Sequence, residues 1–293
     1  MKKNTVWLVV SFLILLSLVP LSCGPVEGKE EELPSAEEIV NNAIASFDDI
    51  KTYHFDMIAT TDTIGEVEGQ ALEHTAIISI SGTLDLEVVR MSSEASMVAV
   101  MPGEDEVEER VETYIIDGMM YAKIPEAPTG ESMWIKLKVT EEAWEMQKRM
   151  SNLENYKELL ETAQVEVLGS EKVEGVDCYL LQLNPKMEQL WQAAGSGGVA
   201  VAAPTVPEDL LQEAFNDFTV KQWMAKDTYF LMKVEMDMVM KLTSEIMDYL
   251  SAEEGEYSIH TTVSFLAKNY NQPVTIILPS EAEEAVEMQD TWD

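Results

Sequence analysis

From Phe230 to Leu242 every second residue is large and apolar: Phe230, Met232, Val234, Met236, Met238, Met240 and Leu242. Lys233, Glu235, Asp237 and Lys241 stand between them. A period of two belongs to a β-strand with one buried and one wet face. The constraint is severe, because a slip of one residue would put the whole apolar set in water. A single strand cannot bury that face, so other strands must extend it.

They are readily found. Residues 256–267 repeat the design with Tyr257, Ile259, Val263 and Phe265. In residues 75–90, Ala76, Ile78, Ile80, Leu84, Leu86 and Val88 share one face, and Ser79, Ser81, Thr83, Asp85 and Glu87 the other. Gly82 interrupts the apolar row and predicts a bulge or bend. From Thr52 onward Tyr53, Phe55, Met57 and Ala59 alternate with polar positions. Shorter strands are expected at 95–101, 108–116 and 133–138, with a tight hairpin at Asp117-Gly118. Residues 164–184 read as strand, turn at Val173-Glu174-Gly175, strand; the chain closes with Pro273-Val274-Thr275-Ile276-Ile277-Leu278-Pro279 and an acidic tail.

Helical signals lie between these groups. Ser35 and Glu38 form a capping box ahead of Ile39, Val40, Ala43, Ile44 and Phe47, and Asp48-Asp49 ends that helix. Thr140 to Ala163 returns to helical spacing, with a break near Ser151-Asn152. A short helix is expected from Pro185 to Trp191 and another from Pro207 to Phe215, with a mobile Gly/Ala loop at 194–206 between them. The reading is α+β: an N-terminal helix, about eleven antiparallel strands and inserted helices, in one domain over 35–293 with a single large curved sheet.

The N-terminus is of another kind. Lys2 and Lys3 precede an apolar run from Val6 to Val19, the length of a signal-peptide core and too short to span a bilayer. It ends at Pro20-Leu21-Ser22-Cys23, which resembles the lipobox of bacterial lipoproteins; Leu21 is larger than usual and Pro20 replaces the usual Leu. The expectation is a signal peptide over 1–22, an acylated Cys23, and a flexible acidic tether over 23–34. Ordinary cleavage near Ser22 and an uncleaved anchor are the alternatives. Two or more acyl chains on Cys23 would hold the protein to the extracytoplasmic side of the cell membrane.

Charge and motifs narrow the function. The net charge of -35 repels nucleic acid and anionic lipid surfaces. His54, His74 and His260 show no metal-ligand spacing, and no spaced Ca²⁺ loop, nucleophile elbow or phosphate loop is present. The Gly-x-Gly-x-x-Ala of Gly195–Ala200 lacks the βαβ unit of a dinucleotide site. Cys178, in an apolar strand between acidic neighbours, reads as core rather than nucleophile. No enzyme, cofactor or metal is expected.

Three segments carry a resemblance. Val173-Glu174-Gly175-Val176-Asp177-Cys178-Tyr179-Leu180, then Gln222-Trp223-Met224-Ala225-Lys226-Asp227-Thr228 with Lys233, then Val274 to Pro279, resemble in order the Gly hairpin, Trp hairpin and closing strand of the LolA/LppX-like (LppX/LprAFG-type) bacterial envelope lipoproteins. Relatives often carry Asp where this chain has Ala225 and Pro where it has Met232, and the Gly/Ala loop looks like an insertion. The resemblance implies a strongly curved, unclosed antiparallel half-barrel with helices across its concave face, and a hydrophobic cavity for acyl chains or lipid-modified partners. Strand parity then assigns Ile80, Leu84, Leu86, Met97, Met232, Met236, Met238, Ile259, Val263 and Phe265 to the cavity wall. For the methionines, gap-filling core is the competing assignment. The expected function is a non-catalytic, membrane-anchored lipid or acyl-chain binder. The alternative is an envelope sensor or protein-interaction module whose core is filled by its own side chains.

Overall fold

Helix α1 (Ala36–Ser46) begins where the capping signal puts it: the Ser35 hydroxyl accepts a hydrogen bond from the Glu38 N–H at 3.1 Å. A 3₁₀ turn, Phe47–Asp49, then leads into the sheet. The computed structural model describes residues 33–67, 70–103, 106–125, 132–139, 160, 163–185, 207, 210, 213–249 and 255–288. The leader with Cys23, most of the expected helices at 140–163 and 207–215, the expected helix at 185–191 and the Gly/Ala loop lie outside these residues, although Leu160, Leu210 and Ala214 are described and helical.

The strands, in chain order, are β1 (Thr52–Val67), β2 (Gln70–Asp85), β3 (Arg90–Val100), β4 (Val107–Ile116), β5 (Met119–Pro125), β6 (Ser132–Lys138), β7 (Gln164–Val173), β8 (Val176–Asn184), β9 (Phe215–Ala225), β10 (Leu231–Leu242), β11 (Gly255–Lys268) and β12 (Val286–Glu287). They form one sheet in the order β12-β6-β5-β4-β3-β2-β1-β11-β10-β9-β8-β7. Two antiparallel meanders, β1–β6 and β7–β11, are joined where β1 pairs with β11 from His54↔Lys268 to Val67↔Gly255. The sheet is unclosed and mostly antiparallel, with the N-terminal helix on one face: the α+β half-barrel expected from the sequence.

Both tight hairpins form as their sequences require. Asp117 and Gly118 have φ of 52° and 77°, and Glu174 and Gly175 have φ of 49° and 85°. Two successive positive φ angles make the type I′ turn that matches strand twist.

Two expectations are corrected. Val274 to Leu278 makes no ladder; it is an extended segment between Pro273 and Pro279 that turns Ile276 inward and leaves Ile277 73% exposed. The sheet edge is taken instead by β12, which pairs in parallel with β6 at Val286↔Ile135 and brings the sheet to twelve strands, in line with the expected count of about eleven. Helix α2 (Ser244–Tyr249) was not foreseen; it fills the β10–β11 connection and buries Ile246. Gly82 makes no bulge, because β2 keeps unbroken register with β1 and β3 through it. Its hydrogen instead makes room for the Phe55 ring, which lies opposite. A Cβ there would stand 2.5 Å from Phe55 Cε1 and 2.9 Å from the Ser92 carbonyl. Phe55 stacks in turn on Phe265, at 6.2 Å between centroids.

Gly82→Ala should therefore cost about 1–3 kcal/mol, the usual range for overpacking a filled site. Urea denaturation measures it; an unchanged midpoint would show that Phe55 moves aside freely.

Candidate functional site: the apolar face of the sheet

The register sorts side chains into rows that cross the strands on the face beneath α1. One row is Tyr53, Leu84, Met91, Ile115, Met120 and Leu137 on β1 to β6. From Tyr53 to Met120 it packs with Ile50 and Phe230, and Leu84 is 2% exposed. A row of smaller residues follows: Gly82, Ser93, Thr113 and Ala122. Beyond it run two aliphatic rows. The first is Val234, Phe265, Met57, Ile80, Ala95 and Val111, from β10 through β11 to β4. The second is Met236, Val263, Ala59, Ile78 and Met97.

These rows are covered unevenly. On β8 to β10, α1 seats Ile39 and Ala43 on Leu181, Leu183 and Val220, with Leu160, Val234 and Met236 beside them. Leu210, Ala214 and Ile246 cover Met238 and Met240. On β2 and β3 the same rows are open enough that Ile78 is 37% and Met97 41% exposed. The next row turns polar at the seam, where the Thr61 and Thr261 hydroxyls meet at 3.3 Å.

Of the ten residues assigned by parity, Ile80, Leu84, Met97, Met236, Met238, Ile259, Val263 and Phe265 stand on this face. Leu86 lies just past the end of β2 and packs into the cluster around Leu84. Met232 is corrected. A bulge between Leu231 and Lys233 breaks the alternation, so Leu231 joins the cluster beneath α1 while Met232 packs on the opposite face with Cys178, Leu180 and Trp223. Parity counted back from Met236 cannot see an extra residue. Sequence reasoning also left Met57, Ala59, Ile78, Ala95, Val111 and Val234 out of the wall. The alternation of β1 could have found the first two. In β3 and β4 serine and glutamate share the inner face, which hides the period.

The chain belongs to DUF6612, a family of unknown function, whose model matches residues 35–287. No curated protein matches it. Among solved structures it is similar to LprF from Mycobacterium bovis, with 13% identity over 84% of this chain and 98% of that one and a TM-score of 0.43. It is similar to the lipoprotein LppX from Mycobacterium tuberculosis, with 11% identity over 83% and 98% and a TM-score of 0.35. A DUF1329 family protein from Desulfovibrio piger is also similar, with 12% identity over 84% and 96% and a TM-score of 0.25.

The opposite face holds the Trp hairpin. The Trp223 indole N–H donates to Glu171 at 2.8 Å, and the Lys233 ammonium sits 4.6 Å from its ring centre. Cys178 is fully buried in the same cluster, and burial pushes its thiol up to about 11. A thiol held neutral in this way is a core group and a poor nucleophile. Burial also pushes Tyr53 up to about 12, and Tyr270, whose hydroxyl donates to the Leu231 carbonyl, is raised by burial and then by Tyr53.

All three groups titrate later in the folded chain than in the unfolded one. Their contribution is complete below the unfolded values and is lost as pH rises through the folded ones. Stability should be level up to about pH 9, fall between 9 and 11 as Cys178 titrates, and fall further toward 12 with Tyr53. Urea midpoints measured from pH 8 to 11 test this. Cys178→Val should remove the first part of the decline, on the order of 2 kcal/mol, and leave the second. A wild-type midpoint constant to pH 11 would contradict the burial argument.

Proposed function

We propose that the protein is a non-catalytic binder of acyl chains or other lipids, tethered to the extracytoplasmic side of the cell membrane through an acylated Cys23. The observation that carries this reading is the uneven cover of one continuous apolar face. The Met236 row, sealed on β8 to β10 by Leu183 and Val220, runs on without a polar break to β2 and β3, where Ile78 and Met97 remain reachable. From Met236 to Met97 a row crosses five strands, about 19 Å at ordinary strand spacing. One leaflet of bilayer hydrocarbon is roughly 15 Å deep. Each buried CH₂ would contribute about 0.8 kcal/mol. The thioethers of Met57, Met97 and Met236 suit a wall that must fit chains of varied shape. The anchor rests on the Lys2–Cys23 leader alone.

The second reading, a sensor or protein-interaction module, is favoured by the filled row at Leu84, Met91 and Ile115, which shows that part of the face is closed by its own side chains.

Native mass spectrometry of the membrane-extracted protein separates the two. It should report the mass of an acylated N-terminal cysteine and, in gentle detergent, a co-purified lipid. The delipidated protein should take up a fluorescent fatty acid, and Met97→Glu, at an already exposed position, should cut that uptake at least several-fold without altering the melting curve. Absence of both lipid and uptake would leave the sensor reading standing; a mass without acyl groups would remove the anchor.

A further inference from the structure

The wet face of the sheet carries a second recess, separate from the apolar rows by the thickness of the sheet. Of the side chains that β2 and β3 turn outward here, Ser81, Thr83 and Ser92 are short and Glu94 alone is long, while those on the flanking strands are long. The register aligns His54, Thr83, Ser92 and Tyr114 in one row, and Asp56, Ser81, Glu94 and Glu112 in the next. The result is a trough of about 400 Å³ with a floor of hydroxyls and walls of ionisable and aromatic groups. That volume lies within the usual range of small-molecule sites, about 300–1,000 Å³.

Its charges select against most ligands. Three carboxylates, Asp56, Glu94 and Glu112, line it beside one ammonium, Lys268, and that ammonium is held by Asp56 at 2.5 Å. An anion would meet net repulsion here, in a chain of net charge -35. The carboxylates lie in one row, Glu94 directly opposite Glu112 and Asp56 two strands away, and among the described residues no three Asp, Glu, His or Cys side chains converge to hold a metal ion. Glu112 is engaged by Lys123 at 3.0 Å.

With Asp56 paired to Lys268 and Glu112 to Lys123, what the trough offers is chiefly hydrogen bonding. Serine and threonine hydroxyls both donate and accept, and carboxylates accept from paired hydroxyls. The Thr83 hydroxyl already meets His54 Nδ1 at 2.8 Å, so the floor is partly oriented. Tyr114 adds a ring, set 6.0 Å from Trp134, and its phenol is raised by burial and by Glu112 and Glu94, so it remains a donor at neutral pH. An aromatic ring beside carboxylates and hydroxyls suits a ligand ring with apolar C–H faces and a hydroxylated rim. We propose that this trough binds a neutral, hydroxyl-rich ligand, a sugar ring, independently of the apolar face.

Saturation-transfer NMR on the full-length protein, with glucose, maltose and N-acetylglucosamine at millimolar concentration, tests the proposal. Glucose 6-phosphate and putrescine serve as the anionic and cationic counterparts. Transfer to at least one neutral sugar is expected. It should fall several-fold in Ser92→Leu, which fills the floor, and in Glu94→Gln, at an exposed carboxylate of the trough, with fatty-acid uptake unchanged in both. No transfer to any neutral sugar, transfer to putrescine or the phosphate ester alone, or a signal undiminished in both variants would overturn it. If circular dichroism shows that Ser92→Leu is unfolded, Glu94→Gln decides alone.

Discussion

The seam between β1 and β11 is the pairing on which the rest of the sheet depends. Each meander is built from neighbours in sequence, and each alone would expose a long central edge. Pairing residues more than 180 positions apart is entropically costly, so the register must be strongly specified to form. The side chains supply that specification. On the inner face Phe55 stacks on Phe265, and its neighbour Tyr53 stacks on Tyr270 just past the end of β11. On the outer face Lys268 pairs with Asp56. At the end of the seam the Asn271 amide oxygen accepts from the Lys51 N–H at 2.7 Å, and its amide nitrogen donates to the Asp49 carbonyl at 2.9 Å. A slip of one residue would break all of these together and expose both apolar sets.

Once the seam is fixed, the two faces diverge in composition, and the divergence is local. Bulges provide the exceptions. At Leu231–Lys233 two residues face one, which sends Leu231 inward and Met232 outward and lets Lys233 reach the Trp223 ring. The outer face thereby gains a small apolar cluster of its own, with Cys178 and Leu180. The sheet thus has a closed end on its inner face, a covered flank under α1, and an open middle on β2 and β3.

Much of this was legible in the sequence because alternation is a strong signal where one face is uniformly apolar. Strands β1, β2, β10 and β11 show it, and they are the strands that meet at or beside the seam. The parts that were not legible have definite causes. A bulge adds a residue without marking it in the alternation, so Met232 read as wall. Gly82 read as a break because a missing side chain looks the same whether the backbone bends or a partner ring needs the room; only the cross-strand partner, Phe55, tells them apart. Val274 to Leu278 has strand composition, but whether an extended segment joins a ladder depends on which edge is free nearby. The wet trough had no signature at all, since serines opposite carboxylates look like any solvated face until the register lines up short residues on adjacent strands.

Gly82 connects these observations. Its inner side admits the Phe55 ring, and its backbone forms part of the floor of the outer trough. A side chain there would press on the inner face alone, because the Cβ of β2 at that position points toward Phe55. Ser81 and Thr83, its neighbours, point the other way. The same strand therefore serves both recesses through alternate residues, and either can be altered without rewriting the other. A single layer of sheet with one seam fixing its register is sufficient to present an apolar surface on one side and a hydroxyl-lined one on the other, and the strict period of two keeps their chemistries apart.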